Sequence, residues 1–303
     1  MQASKQDQER GGCERDFDSF ADRSDYAECR RIHREYGASY FFASSCFPSA
    51  IRRRTHAVYG FVRIPDEWVD NPGSLTFLDR ERLLEDWRSQ LLRGMDGVRP
   101  HHPVMRAFCD VCREVGMPLE EPLLFLDAMI RDLTVSRYET YDDLQTYMRG
   151  SASAVGSMMC RVMGMKLEPD TVHAAHALGE AMQLTNFLRD VGEDARRGRI
   201  YLPQEDLELF HVDEDHLLHG VVSNPFMELM RFEIGRAREL YSVADHGMRA
   251  IHPRCRPAVR LARHLYEGIL YKIERNGYDV FSERLRTTRA DKLRSLARAL
   301  AGR

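Results

Sequence analysis

The chain has 303 residues, with 44 basic side chains set against 47 acidic ones, for a net charge of −3. A balance this close to neutral excludes bulk electrostatic capture of nucleic acid, and no apolar run reaches the about 18 residues a membrane-spanning helix needs. Residues 1–16 are polar, include Gly11-Gly12 and lack the apolar stretch of a secretion signal, so they read as a flexible tail. The remainder, 17–303, is long enough to bury a substantial core as one domain. Seven scattered cysteines suit a reducing, cytoplasmic compartment.

Helical periodicity dominates and no period-two strand set interrupts it, so the fold class is all-α. Helices are predicted over roughly 22–36, 48–70, 76–93, 101–115, 120–134, 141–164, 170–194, 222–250, 254–276 and 288–301. Between them fall Asn71-Pro72-Gly73, Arg99-Pro100, Gly116-Met117-Pro118, Glu168-Pro169-Asp170, Asn224-Pro225 and His252-Pro253. Cys109 and Cys112 share a C-x-x-C spacing, but no second pair follows and the segment is helical, which argues against zinc or redox chemistry. Gly150, Gly156 and Gly164, with Ala152, Ala154 and Ser157, are costly in a soluble helix, so they signal either close helix packing or a ligand against the backbone. Asp170 is placed to cap the helix that follows it. The last segment, Lys292 to Leu300, is basic and amphipathic, with Leu293, Leu296, Ala297 and Leu300 on one face. It can pack on the core or rest on a membrane surface.

Two of these helices end in acidic clusters, Asp66-Glu67-Trp68-Val69-Asp70 and Asp190-Val191-Gly192-Glu193-Asp194. In each, the outer aspartates stand at i and i+4, so both carboxylates leave the same helix face. Such spacing also occurs on solvated helices. Here, however, Gln183, Asn186, Asp190 and Asp194 form one polar stripe, with Leu184, Phe187, Leu188 and Val191 able to pack behind it. That pattern suits an inward-facing wet site. Facing clusters would repel one another unless a hard cation intervened, and Mg²⁺ prefers carboxylate oxygens, water and phosphates. A diphosphate held through Mg²⁺ is the expected ligand. Tyr40, Phe41, Phe42, Tyr59, Phe61, Trp68, Tyr147, Phe187 and Tyr266 are candidates to line an adjoining apolar tunnel, each of which could equally be an ordinary core residue.

Over about residues 25–300 the chain resembles the squalene/phytoene synthase family of head-to-head prenyltransferases. The resemblance is carried by Tyr59-Gly-Phe-Val-Arg63-Ile-Pro-Asp66-Glu67-Trp-Val-Asp70, by Tyr147 to Gly156, and by Gly179 to Asp194. Gly198-Arg-Ile-Tyr-Leu-Pro203 and Asn276-Gly-Tyr-Asp-Val-Phe281 extend it. It implies an isoprenoid synthase fold around a central cavity, prenyl diphosphate substrates and Mg²⁺, with Mn²⁺ as an alternative. The implied metal ligands are Asp66, Glu67, Asp70, Asn186, Asp190 and Asp194. Tyr59, Arg63, Tyr147 and Arg189 would be catalytic. Ser39, Tyr40, Ser44, Gln183, Asn186 and Tyr266 would bind substrate along with Tyr59, Arg63 and Arg189. Arginine suits this work because its planar fork grips phosphate oxygens in pairs. Two departures stand out. Where the family carries basic residues just upstream of Ser39, this chain has Tyr36 and Ala38, and Arg52, Arg53 or Arg54 could compensate.

The family reaction ionises one prenyl diphosphate, joins the cation to the C2–C3 double bond of a second, then ionises the resulting cyclopropylcarbinyl diphosphate and rearranges it. Proton loss gives phytoene or dehydrosqualene, and hydride from NADPH gives squalene. A small Ser44 near the tunnel floor leaves room for C20 chains, so two geranylgeranyl diphosphates and phytoene are expected. The alternative is a squalene, dehydrosqualene or presqualene/hydroxysqualene synthase using farnesyl diphosphate, and NADPH enters only if squalene is made. Residues 196–203 are placed to close over the site as a flap. Head-to-tail prenyltransferases and terpene cyclases usually carry other acidic motifs, and the complete clusters argue against a non-enzymatic relative. The expected location is cytoplasmic, with peripheral contact to the inner membrane face.

Overall fold

A computed structural model describes residues 18–302, so the expected tail at 1–16 lies outside the described residues. Among the described residues there are fourteen α-helices and no strand. In chain order these are α1 (Arg23–Tyr36), α2 (Ala38–Ser44), α3 (Ser49–Asp70), α4 (Phe77–Met95), α5 (Pro103–Val115), α6 (Glu120–Arg131) and α7 (Tyr141–Met148). They continue as α8 (Ala154–Val162), α9 (Pro169–Arg196), α10 (Gln204–Leu209), α11 (Glu214–Leu218), α12 (Asn224–Gly247), α13 (Arg256–Arg275) and α14 (Arg289–Leu300). No described helix is long and apolar enough to cross a membrane.

Local chemistry accounts for the boundaries. Asp22, Thr76, Thr140 and Thr288 each close a capping box at the start of α1, α4, α7 and α14. Gly116 ends α5 in the left-handed conformation at φ 61°, which a β-carbon would strain. Asp170 does not cap α9. The N-cap is Glu168, whose side chain makes no capping bond, and Pro169 takes the first helical position. Asp170 instead lies in the first turn, where its charge opposes the helix dipole's positive end. Three helices escaped the sequence analysis, α2, α10 and α11. At seven, six and five residues they are too short to show a helical period.

The predicted 141–164 helix is interrupted by a π-helical turn at Arg149–Ser153, between α7 and α8. The glycines around it are there for close packing. A β-carbon on Gly150 would come within 2.6 Å of the Leu124 carbonyl, and one on Gly156 within 2.6 Å of the Ala175 carbonyl. Gly179 in α9 would meet the Ala152 carbonyl at 2.7 Å. Backbone cannot yield as a flexible side chain does. Gly156→Ala is therefore expected to destabilise the protein by about 1–3 kcal/mol, measured as a lower denaturation midpoint in urea.

One apolar cluster joins residues from Cys29 to Val280 and includes Phe61, Trp87 and Phe108. The Phe61 and Phe108 rings stack with centroids 3.8 Å apart, and Trp87 Nε1 donates to the Phe61 carbonyl. Cys109 and Cys112 lie within this core, where burial pushes the Cys109 thiol up to about 12. A thiol held that firmly in its protonated form is a poor nucleophile and a poor metal ligand. Smaller clusters gather Phe47, Met248, Ile251 and Val259 in one place, and Ala43, Leu261, Leu265 and Ala299 beneath α14 in another.

Candidate active site

Helices α3 and α9 both face a cavity of about 730 Å³, within the usual size range of ligand pockets. The lining changes character along both helices. On α3 it runs from Thr55 and Val58 through Tyr59 and Val62 to Arg63 and Asp66, and on α9 from Thr171, Ala174 and Leu178 to Gln183, Asn186 and Arg189. At 1.5 Å of rise per residue, charged groups collect at the C-terminal ends of the two helices and apolar ones towards their N-termini. Phe47, Met159, Met163, Met165, Met248 and Ile251 add to the apolar part, whereas Arg284, Arg286 and Lys292 add cations. The cavity is therefore amphipathic along its length.

The two acidic clusters meet at the charged end. Arg63 donates to both Asp66 and Glu67, and Arg199 donates to Asp70. Asp190 accepts bidentate pairs from Arg189, at 2.8 and 2.6 Å, and from Arg284, at 3.0 and 2.7 Å. Those guanidiniums hold the Asp190 carboxyl below its usual range in spite of its burial. Asp66 and Asp194 behave in the opposite way. Burial and then the neighbouring Asp70 push Asp66 up to about 7. Burial and then Asp190 and Asp70 push Asp194 up to about 8. Because Asp70 belongs to the first cluster and Asp194 to the second, the repulsion acts across the space between them.

Among the described residues no three of these acids stand close enough to share a cation, since the arginines occupy them. The donor chemistry nevertheless fits a hard divalent ion. Carboxylate and amide oxygens lie at one end of the cavity, and burial beside other carboxylates raises two of the carboxyls, Asp66 and Asp194.

The remaining predicted residues are placed as follows. Tyr59 lines the cavity and stacks on the buried His33 ring, with centroids 4.0 Å apart. Gly37 permits that stack, because a β-carbon there would come within 2.7 Å of the Tyr59 ring. His33 Nδ1 lies 2.8 Å from His56 Nδ1, and burial lowers the two imidazoles to about 3 and about 4, so both are neutral. Tyr40 and Tyr266 line the cavity with rings 4.6 Å apart. Ser39 shares a 2.9 Å hydrogen bond with Thr287, and Ser44 donates to the Phe41 carbonyl while facing the cavity. Glu67, Asp70, Asp190 and Asp194 lie at the charged end without lining the main cavity itself.

Two expectations change. Arg52, Arg53 and Arg54 do not line the cavity: Arg54 pairs with Glu114, Arg53 covers the Tyr26 ring and Arg52 donates to the Ser45 carbonyl. Cations reach the Ala38 region from the other end of the chain, where Lys292 Nζ donates to the Ala38 carbonyl at 3.2 Å. Tyr36 lies under the Arg63 guanidinium, 4.9 Å away. The 196–203 segment is pinned. Ile200 and Leu202 are buried, Ile200 N–H donates to the Ser136 carbonyl, and Tyr201 stacks on Phe187 at 4.1 Å.

Asp132 went unnoticed in the sequence. Its carboxyl is buried, accepts a 2.6 Å hydrogen bond from the Tyr147 hydroxyl, and is pushed up to about 7 chiefly by burial. Its Oδ1 has no partner. The only clue in sequence was an Arg131-Asp132 pair set among apolar residues at a helix end, Met129-Ile130-Arg131-Asp132-Leu133. Arg284, Arg286 and Lys292 were hidden for a different reason, because nothing in the local pattern of a basic C-terminal segment shows that it folds back over a cavity.

A family model described as squalene/phytoene synthase matches residues 33–291. The chain belongs to the squalene/phytoene synthase family. As a member it is a prenyltransferase. It is 42% identical to a phytoene synthase of Arthrospira platensis, over 87% of this chain and 89% of that one. It is 37% identical to a 15-cis-phytoene synthase of Synechocystis, over 86% and 79% respectively. Among solved structures, a dehydrosqualene synthase in complex with ligand superposes with a TM-score of 0.85 at 30% identity, covering 92% of this chain and 96% of the other. A squalene synthase from Alicyclobacillus acidocaldarius gives 0.77 at 27% identity, covering 84% and 95%. The all-α isoprenoid synthase fold expected from the sequence is thus present.

Proposed function

We propose that the chain condenses two molecules of geranylgeranyl diphosphate head to head, giving phytoene, two diphosphates and two protons in two ionisations. The observation that carries this reading is the cavity itself, which is charged where the two acidic clusters meet and apolar along the rest of α3 and α9. A diphosphate head on a long hydrocarbon tail has the same polarity pattern.

In the first ionisation one diphosphate leaves, and the allylic C1 is captured by the C2–C3 double bond of the second substrate. Loss of a proton closes a cyclopropane that still carries one diphosphate. In the second, that diphosphate leaves, the ring rearranges so that the two C1 carbons become joined, and a further proton departs. Arg63, Arg189 and Arg284 hold the leaving groups by charge-assisted hydrogen bonds. Asp66, Glu67, Asp70, Asn186, Asp190 and Asp194 would hold Mg²⁺, which when bound neutralises leaving-group charge. The Tyr59 ring, fixed by His33, offers its face to a nearby cation, a contribution of about 0.5–2 kcal/mol. Tyr147, fixed by Asp132, does the same from the α7 side. The buried Ile200 and Leu202 help exclude water, which would otherwise turn a cation into an alcohol.

The test is incubation with C15 or C20 diphosphate, with and without Mg²⁺ and NADPH, followed by identification of the extracted hydrocarbon. Phytoene from the C20 substrate, dependent on Mg²⁺ and indifferent to NADPH, is expected. Squalene formed only with NADPH would replace this reading. Asp132→Ala leaves the Tyr147 hydroxyl without its acceptor. It is expected to lower kcat about 10- to 100-fold, the usual loss of an orienting partner, with KM little changed in steady-state assays.

A further inference from the structure

The apolar end of the cavity is built largely from thioethers. Met159 lies in α8, Met163 and Met165 in the turn that joins α8 to α9, and Met248 just past α12, and all four line the cavity. They pack with Phe47, Ile251 and Val259 in the small cluster at that end. Leu178 of α9 packs on the same cluster, and Asp190 lies about 18 Å further along that helix, so this floor is remote from the charged end. Met163 and Met165 flank Gly164, which is exposed and makes the turn at φ 70°. Both side chains are half-buried, as is that of Met159, whereas Met105, Met148, Met158 and Met230 are fully enclosed. Met95 and Met227 are the other half-buried methionines among the described residues, and neither lines the cavity.

We propose that Met163 and Met165 are a modification site, at which oxidation by a hydroperoxide spoils the hydrocarbon end of the cavity. Each thioether sulfur takes one oxygen from hydrogen peroxide. The O–O bond breaks, the sulfur is oxidised to a sulfoxide and the peroxide is reduced to water. Methionine suits an irregular apolar wall because it is unbranched and polarisable. Its sulfoxide is polar and chiral. The other members of the cluster are apolar, so the new oxygen meets no strong hydrogen-bond donor, and an unpaired polar group there weakens the hold on an alkyl tail. Cys160 also lines the cavity but is the weaker target. Burial pushes its thiol up to about 11, and only the thiolate reacts readily. The inference rests on the proposed function only in needing a ligand with a long hydrocarbon tail.

The full chain is treated with graded hydrogen peroxide, quenched, and assayed with whichever of the C15 and C20 diphosphates the untreated chain turns over. Peptide mass spectra locate the added oxygen. Turnover at sub-saturating substrate is expected to fall about tenfold as Met163 and Met165 gain oxygen, and methionine sulfoxide reductases should restore it. Unmodified Met105, Met148, Met158 and Met230 in the same spectra report that the treated chain stays folded. For Met163→Leu with Met165→Leu, the treated rate divided by that variant's own untreated rate should drop no more than about twofold, since leucine keeps the volume and cannot take oxygen. The two single variants, each expected to give partial protection, replace the pair if it does not fold. A loss reversed by dithiothreitol alone would assign the effect to Cys46 or Cys160 and overturn the proposal. So would full turnover with both sulfurs oxidised, an equal loss in the leucine variant, or oxygen on Met95 and Met227 with none on Met163 and Met165. A chain that turns over neither diphosphate refutes the proposed function instead, and the peptide masses then decide this one.

Discussion

Asp66→Asn and Asp194→Asn are each expected to cut turnover about 10²–10³-fold, because either removes a carboxylate proposed to hold the cation that neutralises the departing diphosphate. The fold should survive both changes, since each aspartate stands where negative charge is already in excess. Stability provides a second readout with a definite sign. The Asp194 carboxyl is raised from an ordinary value near 3.8 to about 8, so between those limits the folded chain binds more protons than the unfolded one. Stability of the metal-free protein should therefore fall as pH rises through that window and level off above it. Asp194→Asn should flatten the curve, leaving the variant more stable than the parent at pH 8 without metal. Allowing for solvent at this half-open site, the gain is on the order of 1 kcal/mol, or about 2 °C. Added Mg²⁺ should stabilise the parent and do little for the variant. A variant that is inactive and also less stable at every pH would show that Asp194 serves the fold instead.

The second large effect concerns chain length. Ser44 is 2% exposed, faces the cavity and spends its hydroxyl on the Phe41 carbonyl one turn back. Its neighbours Ala43 and Phe47 also line the cavity. A phenylalanine at 44 would project its ring into the space the hydrocarbon tail requires, and excess volume in a confined apolar site costs about 1–3 kcal/mol. Ser44→Phe is therefore expected to lower kcat/KM for the C20 diphosphate about 10- to 100-fold while sparing the C15 substrate, so that competition assays shift towards C30 product. Selectivity unchanged by the ring would place the tail elsewhere. Because Ser44 faces empty space, the variant should lose little stability, which separates this outcome from misfolding.

Much of this could be read in the chain. The helices from α3 to α9 and from α12 to α14 appeared in the apolar period because each buries one broad face, and both aspartate clusters appeared because the i, i+4 spacing is itself a statement about a helix face. The π-turn at 149–153 was invisible, since one extra residue in a turn leaves the apolar pattern on either side intact. The role of its glycines was equally undecidable until the Leu124 and Ala175 carbonyls were seen against them. Asp132 is the clearest case of a single residue whose meaning depends on a neighbour, because a lone acid has no periodicity and the Tyr147 hydroxyl comes from another helix.

By itself, then, the sequence determined the helical class, the two carboxylate faces and the family, because these depend on spacing within single segments. Tertiary structure decided which cations serve the charged end. Arg284 and Lys292, distant in sequence, reach it, whereas Arg52 to Arg54, close in sequence, point away. It also decided which face of α14 is left uncovered. The physical reason is the same in both cases. Helical periodicity says which residues share a face, and only packing against other helices says what that face meets.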